Sequence, residues 1–183
     1  MLKDSSRSMF ILVCLIGAFL SCHAQQSPSG NVSLTEQQKD LGAKLAGVTK
    51  SYLEKKIGLA AFGGKPFCGY RLLDVEDHGS RVTEYVNAIC QEFYLKGNGR
   101  LEKGTGVALP LALTIARGDD GFEVLSHQEP RDGNEFKPDV EKIFPQRVQP
   151  EILSNSQWRE AMMQQISADA EKYFATGPQN QSR

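Results

Sequence analysis

The hydrophobic periods along the chain predict an α+β domain, a four-stranded antiparallel sheet with an N-terminal and a C-terminal helix packed on one face. Three observations predict it. A helical period after Ser33 gives way to strand-like sequence from Pro66 to Gln128. Turn sequences at Asp77-His78-Gly79-Ser80, Lys96-Gly97-Asn98-Gly99 and Asp119-Asp120-Gly121 cut that stretch into four. A helical period returns after Ser154 and stops at Gly177.

The first helix opens on Ser33-Leu34-Thr35-Glu36, which fits a capping box. Leu41, Leu45, Val48 and Tyr52 then recur on one helical face, and Lys55 and Lys56 occupy the last turn before Gly58, where the helix dipole favours cations. Strands are expected over 67–75, 81–95, 107–116 and 122–128. The second carries Val82, Val86, Ala88, Cys90 and Tyr94 on one face. The third is apolar on both faces and so central, with Pro110 placed at a bulge or strand start because it lacks an amide. A two-residue turn at Asp120-Gly121 would set Phe122 and Val124 on the face of Leu113 and Ile115. A short helix is expected from Pro138 to Phe144, closed by Pro145. In the last helix Ser154 is the expected cap, with Trp158, Met162, Ile166 and Tyr173 inward.

The first 24 residues read as an export signal. Lys3 and Arg7 precede an uncharged run from Met9 to Leu20, too short to cross a bilayer as a helix of about 20 residues. Cleavage after Ala24 and a lipobox reading of Phe19-Leu20-Ser21-Cys22 both stay open. The placement of a cysteine just after the apolar run favours lipidation of Cys22. The expected organisation is signal 1–24, tether 25–32, one domain over 33–177 and a polar tail 178–183. The expected location is the cell envelope, as an anchored lipoprotein or a soluble periplasmic or secreted protein.

Removing residues 1–24 lowers the basic count from 21 to 19 and the acidic count from 22 to 21, a net charge of −2. That balance makes no electrostatic case for nucleic acid or an anionic membrane, so membrane attachment is expected only through a lipid on Cys22. Cys68 and Cys90 lie equally far from residue 79, the expected centre of the first hairpin turn. Direct cross-strand neighbours lie within disulfide reach, and an oxidising compartment favours the bond.

No chemistry-bearing motif stands out. The sequence has no His-Glu-x-x-His, Cys-x-x-Cys or Gly-x-Ser-x-Gly pattern. The glycines at 97, 99, 104 and 106 do not open a helix, which weakens a phosphate cradle. Asp132-Gly133-Asn134 starts like a calcium loop but puts Phe136 where an oxygen ligand belongs. No catalytic residue, metal ligand or cofactor is assigned. Trp158, Tyr52 and Tyr173 could line a pocket, although residues at helical spacing are more often core.

The run from Ser126 to Pro145 (SHQEPRDGNEFKPDVEKIFP) resembles a segment of exported bacterial domains in which a Pro-Arg-Asp-Gly turn precedes an aromatic and a Phe-Pro ending. Gly104 to Pro110 and Asp169 to Phe174 are similar to other parts of those domains, so the likeness covers about residues 66–174. Some such domains form extracellular tails of membrane metallopeptidases of the β-lactam-sensor type. No metallopeptidase motif is present here, so the resemblance implies an accessory or sensory module, not a peptidase. Pro130, Arg131, Asp132, Gly133, Phe136, Phe144 and Pro145 are expected to be structural, with Gly133 at positive φ.

The leading expectation is a non-catalytic envelope module that binds a partner protein or small ligand. Two alternatives stay open: a small hydrolase or metal-dependent enzyme with a site near His127, Arg131 and Asp132, and a structural lipoprotein without ligand.

Overall fold

The computed structural model describes residues 33–154 and 158–176. The signal, the tether, Cys22, Gly177 and the polar tail lie outside them. Helix α1 (Glu36–Tyr52) passes into a π-helical turn, Leu53–Ile57, that stops at Gly58. Strands β1 (Lys65–Asp77), β2 (Arg81–Leu95), β3 (Leu101–Gly118) and β4 (Gly121–Gln128) form one antiparallel meander in the order β1-β2-β3-β4. A 3₁₀ turn (Gly133–Glu135) leads into α2 (Phe136–Ile143), followed by α3 (Gln149–Leu153) and α4 (Trp158–Thr176).

The α+β class and the four-stranded sheet match the sequence reading, but the two main helices do not share a face. Along β2, Val82, Val86, Ala88 and Cys90 point to α1 and pack with Leu45, Leu53 and Leu113. Alternate residues point the other way: Tyr85 meets Val140 and Phe144, and Ile89 and Phe93 meet Ile166 and Ala170 of α4. The sheet is therefore buried on both sides, by α1 on one and by α2, α3 and α4 on the other. Lys50 of α1 and Asp169 of α4 form a 3.0 Å ion pair between helices on opposite faces, both packed on edge strand β1.

Several boundaries differ from expectation for physical reasons. The capping box belongs to Thr35 and Gln38, not Ser33 and Glu36. Gln38 also donates to Asp74 and to the Val75 carbonyl, which ties the helix start to β1. The buried stripe of α1 is Gly42, Leu45 and Thr49; a side chain at Gly42 would collide with Leu72. The tight turn before β4 is Asp119-Asp120, since Gly118 pairs with Gly121, yet Phe122 and Val124 still join Leu113 and Ile115 as expected. Strand β3 starts earlier than expected, at Leu101, and Pro110 sits within it, at neither a bulge nor a start. Helix α2 begins at Phe136, ahead of Pro138. The Ser154 hydroxyl donates to the Glu151 carbonyl and closes α3, a short helix absent from the sequence reading. The expected cap of Ser154 on the last helix, with Gln157, involves residues 155–157, outside the described ones. Within α4 the buried residues are Ile166 and Ala170, while Tyr173 is 40% exposed.

Cys68 and Cys90 are cross-strand partners and are disulfide-bonded. The hairpin closes between residues 79 and 80, with the His78 amide donating to Arg81. A bulge between Leu72 and Asp74 then restores the register that aligns the cysteines.

Candidate binding groove

The Pro130–Pro145 segment is tied to itself and to the sheet by a few named contacts. Arg131 donates from its backbone amide and guanidinium to Asp139, and its guanidinium also reaches Glu135. Hydrogen bonds from Arg131 hold the Asp139 carboxyl well below the usual range. Gly133 has φ +70°, a conformation only glycine adopts freely. Phe144, 3% exposed, packs on Tyr85. Pro145 accepts from the Val148 amide.

His127 is engaged elsewhere. Its Nδ1 lies 2.8 Å from the Tyr52 hydroxyl, and its Nε2 lies 3.8 Å from Glu129. Asp132 is exposed and makes no side-chain cap for the following turn. His127, Arg131 and Asp132 thus belong to separate contacts, and none of them lines the clefts described below. Among the described residues no group of three His, Cys, Asp or Glu side chains could hold a metal ion.

A different place in the fold leaves a side-chain amide open. Asn87 pairs in register with Pro110 and faces away from α1. It is only 8% exposed, and its side-chain amide bonds to none of the described residues. Among the described residues Glu84 Oε1 is the buried side-chain polar atom left without a partner, so the Asn87 amide meets solvent and is open to a ligand. It opens into a cleft of about 190 Å³ lined by Phe136 of α2, Ile152 of α3, Trp158 and Arg159 of α4, and Pro110. Ala108 and Arg159 are shared with a second cleft of about 310 Å³ running past Gly106, Val107 and Met163. The two make one groove along β3, with mixed polar and apolar walls beside Asn87 and mostly apolar ones past Val107 and Met163. Arg159 is exposed and makes no ion pair among the described residues.

The sheet edge beside this groove is open. Strand β4 pairs only with Ala112–Gly118, so among the described residues Leu101–Leu111 has a strand neighbour on the β2 side alone. Successive residues of a strand point their amide and carbonyl to alternate sides. Proline is tolerated in a sheet where its missing amide would face outward. Pro110 therefore places its own carbonyl, and the amides and carbonyls of Ala108 and Gly106, on the free edge.

Sequence reading named Trp158 as a possible pocket residue but missed Asn87. One polar side chain in the apolar β2 carries no signal of its burial until the helices covering it are placed. A scan against protein-family models finds no match for this chain, and searches of curated proteins and of solved structures find none either.

Proposed function

We propose that this chain is a non-catalytic, exported cell-envelope module that binds an extended segment of a partner protein along the open edge of β3. The free edge of β3, beside a cleft into which the solvent-accessible Asn87 amide opens, carries the reading. A bound strand would take its main-chain hydrogen bonds from Gly106, Ala108 and the Pro110 carbonyl, as in strand addition to a sheet edge. One of its side chains would enter the cleft between Phe136 and Trp158, and a polar atom on it would satisfy Asn87. Arg159 at the rim favours a segment with an acidic residue beside that side chain. The lining residues supply no nucleophile paired with a base, so the groove supports binding over turnover. The apolar run at Met9–Leu20 and Cys22 support export, with anchoring through a lipid on Cys22.

Selection from a displayed library of linear peptides tests the reading. Enriched peptides should slow amide exchange at Gly106 and Ala108, and should lose binding to the Ala108→Pro variant, which removes an outward amide. Peptides bound equally well by Ala108→Pro and Asn87→Leu would refute it.

A further inference from the structure

We propose that the loop 58–64, with the strand ends beside it, docks on a lipid surface carrying anionic head groups, whether or not Cys22 is acylated. The loop holds two large apolar side chains in solvent: Leu59 is 52% and Phe62 63% exposed. Their exposure is built in. The amides of Phe62 and Gly64 donate to the buried Glu92 carboxylate at 3.0 and 2.8 Å, and Glu92 also takes the Thr105 amide and hydroxyl. Burial opposes ionisation of Glu92, but those donors outweigh it and keep its pKa below the ordinary range. The loop is thus clamped to β2 and β3 with its apolar residues outward. The Phe62 ring stacks nearly parallel on Tyr94, with centroids 5.4 Å apart.

Tyr173 stands nearby, 40% exposed, with the Lys65 ammonium 5.2 Å from its ring centre. These rings line a shallow cleft of about 320 Å³. Aromatic rings with a polar tip suit the interface between head groups and acyl chains, and lysine stems can lie along apolar surface with the ammonium in water.

Charge complements that chemistry. Lys55 and Lys56 precede the loop, Lys65 follows it, and the adjoining β2–β3 turn adds Lys96 and Arg100, all but Lys65 exposed. The acidic neighbours include Glu54, the buried Glu92 carboxylate held by its donors beneath the loop, and Glu102, which pairs with Lys96 and Arg100. The opposite end of the strands carries Asp77, Asp119 and Asp120 together with Arg81 and Arg117, which pairs with Asp77. The basic side chains beside the loop are therefore a local feature that the near-zero net charge does not show. The apolar residues project from a loop tip, a shape that suits insertion into a fluid phase.

The test places a single indole at the tip, using the full chain with Phe62→Trp and Trp158→Phe. It is read on vesicles of phosphatidylglycerol with brominated acyl chains, at equal total protein and lipid. The indole should be quenched and its emission shifted to the blue. Charge reversal by Lys55→Glu with Lys56→Glu should weaken insertion by more than the roughly fivefold per lysine that one cation near an anionic surface contributes. A second reporter, Leu59→Trp in place of Phe62→Trp, covers the case in which the first variant fails to fold. An indole at 59 or 62 that brominated lipid leaves unquenched would overturn the proposal, and is the outcome expected if the patch binds a protein or glycan. Quenching unaffected by the charge reversal would overturn it as well.

Discussion

The Thr49 hydroxyl donates a 2.5 Å hydrogen bond to one carboxylate oxygen of Glu84, across the interface between α1 and the sheet. The other oxygen, Oε1, is buried and has no partner. Glu84 is fully inaccessible, and burial pushes its carboxyl up to about 7, with the Thr49 bond opposing the shift only in part. The same burial, with Glu84 close by, raises the Tyr70 hydroxyl. An acid that stays protonated in the folded core is a pH-dependent element of stability.

The sign follows from linkage. Between the ordinary glutamate value near 4.5 and about 7, the folded chain holds a proton at Glu84 that the unfolded chain has released. Stability from this group is full below that window and is lost as pH rises through it, by roughly 3 kcal/mol. Glu84→Gln should therefore be the more stable protein at pH 8 and gain little at pH 4.5. Urea midpoints measured across that range check it. A native midpoint that is flat between pH 5 and 7.5 would show that Glu84 ionises freely.

The Cys68–Cys90 bond closes a short loop, with a sequence separation of 22. In the chain-entropy account such a loop stabilises by about 3 kcal/mol. Cys68→Ser with Cys90→Ser should fold with the same sheet and a midpoint lowered to match. Thiol titration of the denatured, unreduced protein should find neither cysteine free.

Phe144 is the main anchor between the Pro130–Pro145 segment and the sheet, packed with Val140, Val148 and Tyr85. Phe144→Ala should cost about 3–5 kcal/mol. Denaturant titration measures that loss, and an unchanged midpoint would mean the ring is not in the core.

The cysteine pairing and Phe144 were legible because both follow from local signals: a turn centred near Gly79, and a Phe-Pro stop after a short apolar pattern. The sheet was legible from its period and turns. Which face receives α4 was not. A helical stripe such as Ile166 and Ala170 shows which side of the helix is inward, not which side of the sheet awaits it. Helix α3 spans only five residues, too few to show a period. Glu84 and Asn87 look like ordinary polar positions in a strand. Only the packing of α1 makes Glu84 costly, and only α2, α3 and α4 around Asn87 frame it in a cleft.

Asn87 gives the last prediction. In the free protein its side-chain amide makes no hydrogen bond to the described residues and meets solvent in the cleft, so replacing it removes no bond that supports the fold. Asn87→Leu should leave the stability of the free protein within about 0.5 kcal/mol, while it loses peptides selected on the native groove. A core residue satisfied by structure behaves in the opposite way, losing stability on substitution. Paired measurements on one variant, a denaturation midpoint and binding of a selected peptide, separate the two. A destabilised Asn87→Leu that still binds would assign Asn87 to the architecture of the sheet and remove the groove's polar contact.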